Sequence, residues 1–148
     1  METLHYLLMK AHTNLNRRIL ERASALGLSP GQPKILEFLL DHGESNQKTI
    51  AAYCEIEQAT VGSILLRMEQ AGLISRRQKE GNRRSLYVSL TQKGDQAAKK
   101  MQSVFQAADA QATEKFSEQE LQLLKQSLEK IWISVCRSEQ NQKEGGEK

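Results

Sequence analysis

The stretch EQATVGSILLRMEQAGLISRRQKEGNRRSLYVSLTQKG, residues 57–94, changes its apolar spacing halfway along. Between Val61 and Met68 apolar residues recur every three or four positions, which predicts a helix with one buried side. Between Leu86 and Leu90 they alternate with other residues, which predicts a half-buried strand. The order of these signals predicts a helix that leads into a β-hairpin.

The hairpin is expected to hold cations at its tip. Residues 73–78 and 84–90 are its predicted strands, and Lys79–Asn82 is its predicted turn, since Gly and Asn suit positive φ angles. Core packing at the base leaves the tip free, so Arg83 and Arg84 are expected to project from the body. Such cations favour a polyanionic partner, although a solvated charged turn has the same composition.

Local start and stop signals predict the first two helices. A helix over 4–26 has apolar residues at three- and four-residue spacing and ends at Gly27. Ser29 is the expected N-cap of a second helix, with Pro30 at its first position and Gln32 completing a capping box. The chain is therefore expected to begin with one long and one shorter helix.

Four further helices are predicted. Ser45 or Asn46 can cap a short third helix, and a fourth is expected over 57–71. Thr91 can cap a long fifth helix, and the capping box at 117–120 opens a sixth with a coiled-coil-like seam. The third and fourth helices, joined by a tight turn and followed by the hairpin, predict a helix-turn-helix with a wing.

The predicted fold class is mainly α with a small β-hairpin wing. It is a winged helix-turn-helix with N- and C-terminal dimerisation helices. The expected divisions are an N-terminal dimerisation helix (1–27), a winged helix-turn-helix DNA-binding region (28–90), C-terminal dimerisation helices (91–137) and a disordered polar tail (138–148). A homodimer would cover the apolar stripes of the terminal helices and bind an inverted repeat; a monomeric bundle is the alternative.

The positive charge is concentrated in one part of the chain. Residues 57–94 carry seven basic and three acidic side chains, whereas residues 1–56 are neutral overall and residues 95–148 carry a net charge of −1. This stretch therefore favours a polyanion, with a solvated charged face as the alternative. Aromatic residues are only 5% of the chain, which argues against a base-stacking surface.

Several classes of protein are not expected. No apolar run approaches the ~20 residues of a membrane span, and no signal-peptide pattern is present, so a cytoplasmic protein without a membrane partner is predicted. The histidines and the two cysteines lack metal-ligand spacing, so neither a metal nor a cofactor is expected. No phosphate loop, catalytic carboxylate pair or nucleophile motif occurs, so no catalytic residue and no enzyme are predicted.

Three segments, taken in order and spacing, resemble the MarR family of bacterial transcriptional regulators. They are LSPGQPKILEFLLDHG (28–43), QKTIAAYCEIEQATVGSILLRMEQAGLISRR (47–77) and GNRRSLYVSLTQKG (81–94). The resemblance implies a dimeric winged-helix protein that binds DNA, often a repressor, and often released from DNA by a small ligand or by oxidation.

Two positions depart from the family pattern. Asn82 stands where the family usually has an Asp that braces the second wing arginine. Gly62 and Ser63 stand where the family often has a Thr-Arg pair inside the recognition helix. A glycine within a helix costs about 0.5–1 kcal/mol relative to alanine. Close approach of the backbone to DNA is one compensation to expect at Gly62.

Twelve residues are predicted contacts to double-stranded DNA. They are Asn46, Gln47, Lys48, Gln58, Ala59, Thr60, Ser63, Arg67, Arg76, Arg77, Arg83 and Arg84. The N-terminal residues of a recognition helix read bases, and the cations suit phosphates or a narrow minor groove. Thr60 also suits a simple helix start, and one arginine of the pair 76–77 can instead bind an acid of the protein.

The resemblance implies an effector site between the dimerisation helices and the winged unit. His12, Asn16 and Trp132 are candidate lining residues for it. One alternative is a redox-responsive regulator that uses Cys54 or Cys136, which requires an exposed thiolate. Another is a winged-helix module that binds protein, since a fold alone does not fix a function.

Overall fold

A computed structural model describes the backbone of residues 1–144 and the side chains of residues 1–81 and 85–136. The chain forms two compact units, Met1–Asp109 and Ala110–Lys148. The elements are α1 (Leu4–Ala25), α2 (Gln32–His42), β1 (Ser45–Asn46), α3 (Gln47–Cys54), α4 (Gln58–Gln70), β2 (Ile74–Lys79), β3 (Asn82–Leu90), α5 (Gln92–Ala112) and α6 (Glu118–Glu144). The predicted winged helix-turn-helix fold is confirmed.

The core of the first unit lies between α2, α3, α4, the sheet and the first half of α5. Its largest fully buried side chains are Ile35, Leu36, Ile50, Val61, Leu65, Met68, Val88 and Met101. By contrast α1 buries only Ala23 completely among its described residues. The helix-turn-helix is therefore built on a packed base, and most of α1 stays outside it.

The sheet has three antiparallel strands in the order β1-β3-β2. The hairpin of β2 and β3 pairs Arg76 with Val88 and Arg77 with Tyr87, and a bulge lies between Gln78 and Lys79. The short strand β1 pairs Ser45 with Val88, and the sequence patterns did not predict it. Gly81 makes the turn with φ +86°, as expected, whereas Asn82 begins β3.

Several predicted helix ends are confirmed by their hydrogen bonds. Gly27 follows α1 with φ +78°, and the amide of Leu28 returns to the carbonyl of Ala23. At the start of α6, the Ser117 amide donates to the Glu120 carboxylate (3.1 Å), and the Glu120 amide donates to the Ser117 hydroxyl (3.1 Å). This is the reciprocal pattern of a capping box.

The start of α2 differs from the prediction. The helix begins at Gln32 rather than at Pro30, and its N-cap is Gly31, whose φ is +87°. The Ser29 amide still donates to the Gln32 side chain at 3.0 Å, so half of the predicted capping box forms one turn before the helix. Gly31 adopts a left-handed conformation that other residues disfavour, and this makes it the point where the helix starts.

The C-terminal boundary also differs. Helix α6 continues to Glu144, so the backbone of residues 138–144 is helical where a disordered tail was predicted. Residues 145–148 of that tail lie outside the described part of the chain. The predicted divisions after residues 27 and 90 both fall inside the first unit. No helix in the described part of the chain is both long and apolar enough to span a membrane.

Candidate nucleic-acid interface

Helix α4 has one buried side, and the side chains of its first residues are exposed. Val61, Leu65 and Met68 are buried, whereas Gln58, Ala59, Thr60, Ser63 and Arg67 are exposed. This pattern follows the helical period, since the buried positions recur every three or four residues and the exposed ones precede or separate them. The predicted base contacts are therefore accessible on the first two turns of α4, and their contact with DNA stays a prediction.

The start of α3 lies beside the start of α4, and its polar residues have different surroundings. Asn46 caps α3 by accepting a hydrogen bond from the Thr49 amide at 2.9 Å. The Gln47 amide group donates to the carbonyl of Gln58 at 3.0 Å. Lys48 is exposed. Of these three predicted phosphate ligands, Asn46 and Gln47 thus form side-chain hydrogen bonds to the backbone of the protein itself.

A polar notch joins the helix-turn-helix to the wing. Its volume is about 360 Å³, and its lining residues are Asn46, Gln47, Lys48, Gln58, Ser85 and Leu86. It brings together the N-termini of α3 and α4 and the second strand of the hairpin. Because helix N-termini present unpaired backbone amides, such a notch suits an anionic oxygen.

Both arginines of β2 form ion pairs within the chain, whereas an internal pair was expected for one of them at most; their contact with DNA stays a prediction. Arg76 binds both carboxylate oxygens of Glu69, at 3.1 and 3.0 Å. Its side chain is only 18% exposed, so it is a structural residue of the α4–β2 contact. The arginine lowers the pKa of Glu69, chiefly by hydrogen bonding, and Glu69 in turn raises the pKa of Arg76.

Arg77 pairs on the other side of the strand, with Glu44. Its guanidinium donates to the two oxygens of Glu44 at 2.9 and 3.3 Å. The Arg77 side chain remains 68% exposed, so contact with DNA stays a prediction for it. The hydrogen bond to Glu44 also raises the pKa of Arg77.

Glu44 is a functional candidate that the sequence patterns missed. Besides Arg77, its carboxylate accepts from Lys79 at 3.1 Å and from the Ser89 hydroxyl at 3.1 Å. Hydrogen bonds from Arg77 and Lys79 lower its pKa to about 2. Lys79 also lies 4.3 Å above the ring of Tyr87. One carboxylate therefore ties β2 and β3 to the segment that precedes β1.

Arg83 and Arg84 lie near the start of β3, next to the hairpin turn. Their side chains, and that of Asn82, lie outside the described residues. The predicted tip contacts and the expected Asn82 brace are therefore not tested by the structure. The backbone places both arginines at the turn end of the hairpin, in the first three residues of β3 after Gly81.

A second cavity lies within the first unit, between α1, the start of α2, α4 and α5. Its volume is about 350 Å³, and it is lined by His12, Asn16, Ile19, Leu20, Pro30, Gly31, Pro33, Lys34, Ile56, Thr60, Ile64 and Phe105. Two of the three predicted effector residues, His12 and Asn16, line it. Trp132, the third, lies on α6 in the second unit and is 55% exposed.

The two cysteines differ in their surroundings. Cys54 is buried, and its thiol faces the Lys34 carbonyl at 3.6 Å. Burial raises the pKa of Cys54, so the thiol form is favoured over the reactive thiolate. Cys136 is half-buried on α6. Among the described residues, His, Cys, Asp and Glu side chains form no cluster able to hold a metal ion.

A helix-turn-helix with an exposed recognition helix and a projecting hairpin defines a winged helix-turn-helix protein. Comparison with known proteins narrows this class. A model of the MarR family matches residues 28–86. The HTH-type transcriptional repressor Rv2887 of Mycobacterium tuberculosis is 27% identical over 128 residues, which cover 86% of this chain and 92% of that protein.

Solved structures agree with the fold. A MarR family regulator from Listeria monocytogenes, complexed with 26mer DNA, superposes with a TM-score of 0.88 at 20% identity, over 93% of this chain and 92% of that one. Rv2887 in complex with salicylic acid superposes with a TM-score of 0.68 at 26% identity, over 88% and 97% of the two chains. Residues 28–86 therefore match the MarR family, and the chain shares the winged helix-turn-helix fold of these DNA-binding transcriptional regulators.

Proposed function

We propose that this protein is a repressor that binds an inverted repeat in double-stranded DNA as a homodimer and is released by a small-molecule effector. The observation that carries the proposal is the exposed first part of α4 beside the hairpin. Gln58, Thr60 and Ser63 offer hydrogen-bonding groups to base edges there. The relatives named as repressors support the direction of regulation.

Dimerisation is supported by apolar side chains that each unit leaves exposed. On α1, Leu4 is 62% and Leu7 46% exposed; on α6, Leu123 is 63% and Val135 57% exposed. Large exposed apolar patches mark protein interaction sites, and these side chains are candidates for such patches on α1 and α6. A two-fold axis would present two copies of α4 to two half-sites of an inverted repeat.

The 350 Å³ cavity is the proposed effector site. Ile19, Ile64 and Phe105 give it apolar walls, and Lys34 supplies a positive charge at its lining. This combination suits a small aromatic carboxylate, the class of ligand that salicylic acid represents in the Rv2887 complex. Because Thr60 and Ile64 of α4 line the cavity, a bound ligand would contact the recognition helix directly.

The alternative redox mechanism receives no support from Cys54. Its burial and raised pKa disfavour the thiolate that reacts with oxidants. A ligand that binds one dimer geometry better than the DNA-competent one explains release by a population shift alone. The effector mechanism is therefore preferred over oxidation of Cys54.

The test is fluorescence-anisotropy binding to DNA from upstream of the protein's own gene, with scrambled DNA as the reference, over a salt series. We expect a preference for the upstream DNA of at least about a hundredfold, a steep salt dependence and a plateau at two chains per duplex. Arg83→Ala/Arg84→Ala should weaken binding to both DNAs and flatten the salt dependence, because it removes phosphate or groove contacts.

Three outcomes would count against the proposal. Weak and equal binding to both DNAs, together with no preferred sequence in a library of random DNA, would favour a protein-interaction module. A plateau at one chain per half-site-sized duplex, without cooperativity, would contradict the homodimer. Unchanged binding of the double arginine variant would remove the hairpin tip from the interface.

A further inference from the structure

A side chain of α3 holds the first residue of the recognition helix. The Gln47 Nε2 group donates to the main-chain carbonyl of Gln58 at 3.0 Å. Gln58 is the first residue of α4, and its carbonyl also accepts the amide four residues later in the helix. A carbonyl oxygen has two lone pairs, so it can accept both hydrogen bonds. This contact links the N-termini of both helices of the helix-turn-helix.

The recognition helix lacks a cap of its own. Its N-cap residue is Glu57, whose side chain makes no capping hydrogen bond. A first turn without such a bond frays more easily, because its amides depend on water. By contrast, α3 is capped by Asn46 and α6 by Ser117. The hydrogen bond from Gln47 does not replace the missing cap, because it is donated to a carbonyl, but it ties the turn that carries the predicted base contacts to α3.

Gly62 provides the space for this contact. A Cβ atom at Gly62 would lie 3.1 Å from Nε2 of Gln47, closer than ordinary van der Waals contact. Nothing else lies that close: the next atom is Cδ of the same glutamine, at 3.9 Å. Within a helix glycine is otherwise unfavourable. A side chain at this position would therefore require the amide end of Gln47 to shift by a few tenths of an ångström from its place against Gln58.

We propose that Gln47 is a positioning residue for the recognition helix and that Gly62 is the complementary partner that admits it. The proposal rests on the proposed DNA-binding function and deepens it. Gln47 then acts on sequence preference through the placement of Gln58, Ala59 and Thr60. One of its two side-chain N–H donors is directed at the Gln58 carbonyl, so the positioning role does not require contact with a phosphate.

The test is a double-mutant cycle of Gln47→Ala and Gly62→Ala, with Lys48→Ala as the neighbouring control. The measured quantity is the ratio of affinities for operator and scrambled DNA, together with the salt slope. We expect each single substitution to lower the ratio about fivefold, the effect of one hydrogen bond. The double variant should lose no more than either single variant, because both break the same contact.

The control separates positioning from phosphate contact. Lys48→Ala should weaken both DNAs alike and flatten the salt slope, which leaves the ratio unchanged. Gln47→Ala should lower the ratio and leave the salt slope and the melting temperature near those of the wild type. Additive losses in the double variant, or a Gln47→Ala variant that weakens both DNAs equally, would overturn the proposal.

A measurement without DNA keeps this proposal separate from the proposed function. The Val61 amide donates to the Glu57 carbonyl at 2.9 Å, within the first turn of α4. Its hydrogen exchange should become about fivefold faster in Gln47→Ala and in Gly62→Ala, and should not change in Lys48→Ala. Unchanged exchange in both variants would overturn the positioning role. If the wild type shows no sequence preference, the proposed function fails while the exchange result still decides the role of Gln47.

Discussion

Arg76 and Arg77 are neighbours in sequence, yet they serve different parts of the molecule. Side chains alternate between the two faces of a strand, so one arginine meets Glu69 of α4 and the other meets Glu44 before β1. The sequence shows that this segment is basic, and it permits one internal ion pair. It does not show that both arginines are paired. Glu44 and Arg77 are far apart in sequence, and only the pairing of the strands brings them together.

The carboxylate of Glu44 is expected to make the stability of the protein depend on pH. Its pKa is lowered from 4.5 to about 2 by hydrogen bonds from Arg77 and Lys79. A lowered pKa means that Glu44 contributes to stability above its ordinary pKa and that the contribution is lost as the pH falls through 4.5 toward about 2. Glu44→Gln should therefore lower the melting temperature by a few degrees at pH 7, and the difference from the wild type should shrink as the pH falls below 4.5.

Thermal unfolding of both proteins at pH values from 7 down to 2.5 checks this expectation. Glu21→Gln, an exposed carboxylate on α1, changes the net charge equally and serves as the control. Exposed ion pairs contribute little in general, whereas the Glu44 side chain is only 19% exposed and has three partners. A Glu44→Gln variant as stable as Glu21→Gln at pH 7 would show that the cluster is energetically neutral.

Among the elements, those with local signals were predicted and those with distant partners were not. The capping box at 117–120 needs only neighbouring residues, and it forms as expected. Strand β1 has two residues, and it exists because Ser45 and Asn46 pair with Val88 and Tyr87. The α2 start was misplaced because Ser29 was expected to be the N-cap, whereas Gly31 takes that place with a positive φ angle.

The junction between the hairpin and α5 has no room for a side chain at position 94. The Leu73 carbonyl accepts from the Thr91 amide at 3.1 Å, and Thr91 caps α5 by accepting from the Gly94 amide at 3.0 Å. A Cβ atom at Gly94 would overlap the Leu73 carbonyl oxygen. Gly94→Ala should therefore lower the free energy of unfolding by about 1–3 kcal/mol, although alanine is the better helix former.

Urea unfolding of Gly94→Ala measures this loss, with Gln96→Ala as the control on the same turn of α5. Gln96 is exposed, so its replacement should change stability little and in the favourable direction. The sign of the Gly94→Ala effect shows whether steric overlap with Leu73 or the higher helix propensity of alanine has the larger effect. A variant more stable than the wild type would mean that α5 can move away from Leu73 without cost.

For the whole molecule, the sequence predicted the apolar stripes, and the structure shows which of them one chain leaves uncovered. The winged helix-turn-helix encloses a core of its own, whereas Leu4 and Leu7 on α1 of the same unit remain exposed. Leu123 and Val135 are likewise exposed in the second unit. Burial of about 25 cal/mol per Å² of such surface would favour association of two chains. Helix α1 also lines the proposed effector cavity, so assembly and ligand binding would share this helix.

This sharing leads to a prediction about ligand and DNA together. If salicylate binds in the cavity and lowers the affinity for the operator, the operator must lower the affinity for salicylate by the same factor. Asn16→Ala should weaken salicylate binding about tenfold, because a polar group at the cavity lining is lost. Asn14→Ala, on the same helix but outside the cavity lining, should leave it unchanged. Calorimetry with and without operator DNA measures both factors. Reciprocity holds whichever site the ligand occupies, so Asn16→Ala tests the site: an unchanged salicylate affinity in that variant would place the ligand outside the cavity. Equal salicylate affinities with and without operator would remove the cavity from the release mechanism.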